Sequence, residues 1–210
     1  MSARLKQSAY IAKTAKIVTM SLVSLAFMSQ TAFAQITQSE AKNFTNELVV
    51  ELGKIAKDES LNDAAQDRAY RQALKKRLAI ESIGKFLFKS VPADLPTPAQ
   101  ISTYNNLFPN YIAGAFASQI GGLAERQINV TESRPRGERE VIVRSELVNK
   151  AGIKKASIDW RIREVDGKPR LLDVLVERVS PLVTKRQEFS SLAKREGIEA
   201  LLDHMEKVAN

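Results

Sequence analysis

Two aspartates, Asp159 and Asp173, are the residues of this 210-residue sequence best placed for acid–base chemistry. They lie on two segments whose apolar residues alternate with period two, which predicts neighbouring strands. Paired carboxylates can act as a general acid and a general base. Arg161 and Arg163 are close enough in sequence to pair with them, so a solvated cross-strand charge pair is the simpler interpretation.

The other residues that could do chemistry are few. The sequence has a single histidine, His204, and no cysteine. A lone histidine near the C-terminus satisfies neither a catalytic triad nor a metal site, and no H-E-x-x-H, G-x-S-x-G or Walker pattern occurs. The lack of cysteine excludes thiol catalysis, thiolate metal sites and disulfides. We predict no catalytic residue, no metal site and no cofactor.

The first 34 residues have the organisation of a secretory signal peptide. Four basic residues and no acidic ones precede a short apolar run at 17–28, and Ala-Phe-Ala follows at 32–34. This order predicts export and cleavage after Ala34. A retained membrane anchor is the alternative, but the run is shorter than the roughly 20 residues that a spanning helix needs. No cysteine follows the run, which excludes a lipoprotein anchor.

Residues 35–210 are predicted to form a single domain with a core of its own. They carry 28 basic and 24 acidic residues, a net charge of +4. Such a mild excess does not favour nucleic-acid binding, which usually shows a stronger, clustered basic footprint. No further segment has the length and hydropathy of a transmembrane helix, so we expect the mature domain to be soluble.

The first half of this domain is helical in its periodicity. Apolar residues spaced by three or four predict one helix at 40–57 and a second that Asn62 caps. An aromatic-rich segment at 83–88 precedes a proline-rich break. A third helix is predicted to begin at Thr97-Pro98 and to end at Gly121-Gly122, with a kink or interruption at Pro109.

The second half alternates with period two over four short segments, and Asp166-Gly167 is a strong hairpin signal between the last two. Ser180-Pro181 then predicts a helix, which Gly197 ends before a final apolar stripe. We therefore predict an α+β fold in which helices cover one face of a curved, four-stranded antiparallel meander. The expected shape is an NTF2-like cone around an apolar cavity.

The fourth predicted strand has one continuous apolar face, formed by Leu172, Val174 and Val176. Several aromatic residues also fall on inward-facing positions of the predicted elements. Either a packed core or a ligand cavity would be lined by these residue types. The candidate lining residues are Phe86, Phe88, Leu107, Tyr111, Phe116, Trp160, Leu172, Val174, Val176 and Phe189.

Residues 170–202 resemble the MlaC family of periplasmic phospholipid-binding proteins. The resemblance lies in Asp-Val at 173–174, Glu-Arg-Val-Ser at 177–180, Thr-Lys-Arg at 184–186, Glu-Phe at 188–189 and Gly-Ile at 197–198. Ile-Gly-Lys-Phe at 83–86 and Asp-Trp-Arg at 159–161 fit the earlier parts of the family pattern. Two residues depart from it: Arg178 stands where the family usually has glycine, and Pro169 stands near a frequent tryptophan.

The resemblance implies a monomeric phospholipid shuttle, not an enzyme. Its implied partners are an outer-membrane lipoprotein complex and the substrate-binding component of an inner-membrane ABC transporter. The ten lining residues would then contact acyl chains, and Lys185 and Arg186 would dock on an acidic partner surface. Two alternatives remain from the residues themselves: an enzyme with Asp159 or Asp173 as base, and a ligand-free periplasmic adaptor.

Overall fold

The computed structural model describes residues 36–92, 96–124, 126–149 and 151–209, so the predicted signal peptide lies outside the described residues. The helices are α1 (Gln38–Ala56), α2 (Asp63–Arg77), α3 (Ile80–Phe88), α4 (Pro98–Ala124) and α5 (Pro181–Ala209). The strands are β1 (Gln127–Pro135), β2 (Glu140–Val148), β3 (Lys154–Val165) and β4 (Lys168–Val176).

The four strands form an open antiparallel meander in the order β1-β2-β3-β4. The β3–β4 hairpin turns at Asp166 and Gly167, whose φ angles of 51° and 71° are the left-handed pair that a two-residue hairpin requires. The predicted α+β class and the meander are thereby confirmed. Pro169 lies in β4, an edge strand, where its missing N–H costs no central ladder bond.

The helices pack on one face of this sheet, called here the inner face. Helix α1 lies against β1 and β2, while α2, α3 and α5 contact β4. Val143, Trp160 and Val174 are aligned on the inner face of three successive strands and belong to one buried cluster with residues of the helices. Burial of these apolar groups is the main favourable term in such a fold.

The alternation predicted for β4 breaks at a β-bulge. Arg161 pairs with Asp173 and Ile162 pairs with Leu171, so Leu172 is the extra residue between two regular pairs. A bulge resets the side-chain alternation of a strand. Leu171 therefore shares the inner face with Val174, whereas strict alternation places these two residues on opposite faces.

Helix α4 differs from its prediction in two respects. It continues through Pro109 without interruption, and it ends at Ala124, beyond the predicted glycine pair. Pro109 removes only one helical hydrogen bond, the one to the backbone carbonyl of Asn105. Asn105 lies on the exposed side of the helix, where water can donate a hydrogen bond to that carbonyl oxygen. The aromatic segment at 83–88 is part of helix α3, an element for which the sequence gives no helical boundary.

Helix α5 consists of two helical segments joined at Gly197. This glycine has φ 87° and ψ 174°, a conformation open almost only to glycine. The second segment places Ile198, Leu201 and Met205 in the core. The predicted end of a helix at Gly197 is therefore confirmed.

Candidate functional site

A cavity of about 570 Å³ lies between the C-terminal half of α1, the end of α4 and the first residues of β1. Its wall is apolar at the inner end and charged at the mouth. The lining residues are Val49, Val50, Leu52, Gly53, Lys54, Lys57, Asp58, Ile120, Arg126, Gln127, Ile128 and Trp160. Its volume falls within the range of about 300–1,000 Å³ that is usual for small-molecule sites.

Trp160 forms the inner end of the cavity. It lies on the central strand β3 and is 0 % exposed. Its indole Nε1 donates a 2.8 Å hydrogen bond to the Oγ of Ser145 on β2, which is equally buried. Because a buried indole N–H needs an acceptor, this bond removes the polar cost of placing tryptophan here.

Helix α1 supplies the opposite wall. Its apolar stripe directs Leu48 and Leu52 into the core, and Val49 lies beside them at the cavity. Gly53 follows with no side chain, although glycine in a helix interior costs roughly 0.5–1 kcal/mol relative to alanine. Its φ is not positive, so the backbone does not require glycine here. Gly53 is one of the residues that line the cavity.

Most of the sequence-predicted lining residues lie away from this cavity. Of the ten, Trp160 lines it, and Val174 is paired with Trp160 on the neighbouring strand. Val176 is paired with Ile158, and Leu172 occupies the bulge. Leu107 is half-buried against the core, and Phe116 borders a void of only about 10 Å³ between α4 and α5.

Phe88, Tyr111 and Phe189 belong to an aromatic cluster with Tyr104 and Phe108, packed between α3, α4 and α5. Ring centroids are 4.7 Å apart for Phe88 and Tyr104 and 5.4 Å apart for Tyr111 and Phe189. Burial raises the pKa of both tyrosine hydroxyls. The Tyr104 hydroxyl donates to the carbonyl of Gly84 at 3.0 Å, whereas the buried Tyr111 hydroxyl has no hydrogen-bond partner within the described residues.

The two predicted docking residues have local partners. The Nζ of Lys185 is 2.6 Å from the Oε2 of Glu188 on the same helix. The guanidinium of Arg186 lies 4.7 Å above the ring of Phe86, a cation–π contact that joins α5 to α3. Phe86 therefore faces Arg186.

The two aspartates lie on the outer face of the sheet, opposite Trp160. Asp159 accepts two hydrogen bonds from Arg144, at 2.8 and 3.0 Å. Asp173 is 0 % exposed and accepts a 2.6 Å hydrogen bond from Ser180 Oγ, with Arg161 at 3.8 Å. Burial raises the pKa of Asp173, and the contacts of Ser180 and Arg161 oppose the rise. The two carboxylates have different partners. Asp173 is buried, whereas the sequence predicts a solvated charge pair.

The lone histidine is half-buried in a groove of about 440 Å³ between the two segments of α5. The His204 ring packs edge-on to Tyr111, with centroids 6.0 Å apart.

None of the helices within the described stretches has the length and hydropathy needed to cross a bilayer.

Sequence reasoning missed most of the cavity wall. Leu52, Ile120 and Ile128 stand on apolar stripes that the sequence shows, but nothing distinguishes a stripe beside a cavity from one in a filled core. Gly53 carries the one local signal, since a glycine in the middle of a strong helical pattern often has a packing or functional reason.

Comparison with known proteins identifies a protein family and solved structures with a similar fold. The family model described as MlaC protein matches residues 42–207. A structure from Ralstonia solanacearum, described as a phospholipid-binding protein in complex with a phospholipid, aligns with a TM-score of 0.63 at 16% sequence identity. The alignment covers 81% of this chain and 97% of that chain. At this identity the likeness shows a shared fold.

Proposed function

Because the chain belongs to the MlaC family, we propose that it is a periplasmic phospholipid carrier. It takes lipid between an outer-membrane lipoprotein complex and the substrate-binding component of an inner-membrane ABC transporter, acts as a monomer and maintains the lipid asymmetry of the outer membrane. The observation that carries this proposal is the cavity between α1 and the sheet, apolar at Trp160 and open at a charged mouth. The phospholipid bound to the R. solanacearum neighbour supports the choice of ligand.

The energetics of carrying lipid through water explain why such a cavity is needed. Burial of each methylene is worth about 0.8 kcal/mol, so a chain of about 16 carbons needs shelter worth on the order of 10 kcal/mol. We place the first chain between Val49, Ile128 and Trp160. A second chain needs further apolar room, and we propose that the packed core around Val174 and the other predicted lining residues rearranges to admit it.

Filling the cavity tests the proposal. Ile128 lies on the inner face of β1 and lines the cavity, so Ile128→Trp should occupy the space that an acyl chain uses. The matched control is Ile153→Trp, at a loop residue that is 58 % exposed. We expect Ile128→Trp to stop the transfer of a fluorescent phospholipid from donor to acceptor vesicles, and the control to transfer like the wild type. Equal transfer by both variants would contradict the proposal.

The arrangement of the carboxylates favours a carrier over an enzyme. A base must lie within hydrogen-bond reach of the proton that it removes. Asp159 and Asp173 lie on the face of the sheet opposite the cavity, and arginine or serine partners occupy their oxygens. The cavity also counts against an adaptor with a filled core.

For docking, we propose that Lys185 and Arg186 steer the loaded protein to an acidic partner surface, which acts mainly on the association rate. Lys185→Glu with Arg186→Glu should leave bound lipid in place and slow delivery to the transporter component. The same residue pair recurs on α5 as Lys194 and Arg195, whose double charge reversal is the matched control. Equal delivery by both double variants, with no salt dependence in the wild type, would remove Lys185 and Arg186 from the docking surface.

For export, we propose that residues 1–34 are a signal peptide and that 35–210 are the single lipid-binding domain. Cleavage after the Ala-Phe-Ala motif at 32–34 makes Gln35 the first residue of the mature protein. N-terminal sequencing of the exported protein measures this directly. A mature chain that begins before Thr31 would contradict it.

A further inference from the structure

Three basic side chains from two parts of the fold meet at the mouth of the cavity. Lys54 lies in the last turn of α1, Lys57 is the C-cap residue of the same helix, and Arg126 directly precedes β1. All three are exposed. None forms an ion pair within the described part of the chain, whereas Arg77 and Arg144 each pair with two carboxylates.

Stability of the fold accounts for only part of this arrangement. Lysines near the end of a helix interact favourably with its negative end, which explains Lys54 and Lys57 in structural terms. Arg126 belongs to another segment, so the interaction with the negative end of α1 does not explain its position. The acidic residue at the mouth, Asp58, accepts hydrogen bonds from the Oγ and N of Ser60, and the side-chain bond from Ser60 is the main reason that its pKa is lowered. With three cations and one ionised carboxylate, the mouth is net positive.

A net positive mouth above an apolar interior is complementary to an amphiphile with an anionic group at the start of its chains. The guanidinium of arginine offers a planar pair of N–H donors that matches phosphate oxygens, and lysine binds phosphate as a point charge. The other residues around the mouth are apolar apart from Gln127. Few polar groups can therefore form hydrogen bonds with the alcohol that is esterified to the phosphate.

We propose that Lys54, Lys57 and Arg126 hold the phosphate group of a lipid whose acyl chain lies against Trp160. This inference rests on the proposed function and adds the determinant of selectivity. The carrier recognises the phosphate that all glycerophospholipids share, and it discriminates against diacylglycerol with the same acyl chains. Beyond the phosphate it has little headgroup preference.

The test compares two lipids that differ only in the phosphate. Lipid-free protein is incubated with vesicles that contain phosphatidic acid and diacylglycerol of identical chains in equal amounts, and bound lipid is measured by native mass spectrometry. Both lipids share one vesicle, so the surface charge of the membrane is common to them. The variant is Lys54→Gln with Lys57→Gln and Arg126→Gln. The matched control, with the same change in net charge at exposed sites, is Lys89→Gln with Arg136→Gln and Lys194→Gln.

We expect the wild type and the control to load phosphatidic acid over diacylglycerol by at least about tenfold, given the usual strength of hydrogen bonds to charged groups. The mouth variant should load both lipids equally. A wild type that loads both equally would overturn the inference and leave the carrier proposal intact, whereas a wild type that loads neither would overturn the carrier proposal. A preference that persists in the mouth variant would overturn the assignment of these residues.

A separate measurement distinguishes lipid phosphate from free phosphate. Lipid-free wild type is titrated with inorganic phosphate in a calorimeter. No saturable binding is expected, because the acyl chain supplies most of the affinity for a lipid. Saturable binding that the mouth variant loses, together with equal loading of the two lipids, would make this a site for free phosphate and overturn the inference.

Discussion

Arg178 has a backbone conformation that few non-glycine residues adopt. It and the preceding Glu177 have φ angles of 68° and 48°, in the left-handed region, in the turn between β4 and α5. This conformation costs an L-residue with a side chain roughly 1–2 kcal/mol. The MlaC pattern usually has glycine at this position, so Arg178 retains a strain that a glycine would relieve.

We predict that Arg178→Gly raises the free energy of unfolding by about 0.5–1 kcal/mol. Relief of strain exceeds the extra entropy that glycine gives the unfolded chain. Urea unfolding measures the difference. Arg136→Gly, at an exposed arginine whose φ is not positive, should lower stability or leave it unchanged. A loss of stability in Arg178→Gly would contradict the argument from strain.

At the level of residues, the sequence indicated side-chain direction better than side-chain partners. Trp160 was predicted to face inward and does so. Asp159 was expected to pair with Arg161 or Arg163, but Arg144 on the other neighbouring strand is its partner. The predicted cross-strand pair of Arg161 with Asp173 is present at 3.8 Å, but Asp173 is buried, whereas the sequence predicts a solvated pair. The turn at 177–180 brings Ser180 into contact with Asp173, and a path of that kind cannot be read from local periodicity.

At the level of elements, Asp173 and Ser180 connect β4 to the N-terminus of α5. Ser180 Oγ accepts a 3.1 Å hydrogen bond from the backbone N–H of Val183 and donates a hydrogen bond to Asp173. Asp173 also accepts a hydrogen bond from the backbone of Leu182. These contacts satisfy N–H groups that the first turn of a helix leaves free. The carboxylate is thus a structural part of the helix start.

We predict that Asp173→Ala lowers the free energy of unfolding by about 3 kcal/mol, because it leaves Ser180, Leu182 and Arg161 without their shared acceptor. Asp173→Asn is the matched control, since its amide oxygen still accepts from Ser180. The control should lose less stability than the alanine variant in urea unfolding. Equal losses would show that the acceptor contributes nothing.

The raised pKa of Asp173 also fixes the sign of a pH dependence. Because the pKa of Asp173 in the folded state lies above the ordinary carboxyl pKa of 3.8, the folded state binds the proton of this carboxyl group more tightly than the unfolded state does. The contribution of Asp173 to stability is therefore fully present below 3.8 and is lost as the pH rises through the raised value. The difference in unfolding free energy between wild type and Asp173→Asn should fall with pH across this window. A difference that rises with pH would contradict the effect of burial.

Gly197 permits the break between the two segments of α5. A Cβ would meet no atom within 4 Å at Gly197 or at Gly122 in α4, so only the backbone distinguishes the two positions. We predict that Gly197→Ala costs about 1–3 kcal/mol, because φ 87° with ψ 174° is unfavourable for alanine. Gly122→Ala should be neutral or stabilising by up to about 1 kcal/mol. Thermal unfolding of both variants checks this, and equal effects would contradict it.

Elements with their own start and stop signals were predictable. Asn62, Ser180-Pro181, Asp166-Gly167 and Gly197 mark their boundaries through local chemistry. Helix α3 has no side-chain cap hydrogen bond, so the sequence contains no start signal for it and shows only an aromatic segment there. The continuity of α4 through Pro109 depends on which side of the helix meets solvent, a property of the tertiary structure.

At the level of the whole molecule, the sequence predicted an apolar interior but not where that interior is left unfilled. Three of the aromatic residues named as lining, Phe88, Tyr111 and Phe189, belong to a packed cluster between α3, α4 and α5, with neighbouring centroids as close as 4.7 Å. The space lies at the opposite end of α4, beside Gly53 and Ile120. Filled and unfilled regions use the same residue types, so only the packing of the elements distinguishes them.

The central claim is that acyl chains enter the cavity that ends at Trp160. It is tested most directly by irradiating the protein loaded with a phospholipid that carries a photoreactive group in one acyl chain, and then mapping the adducts by peptide mass spectrometry. The account predicts adducts on the wall formed by Val49, Leu52, Ile120 and Ile128. Adducts confined to the groove of α5 around Leu192 and His204, or an absence of adducts on loaded protein, would contradict it.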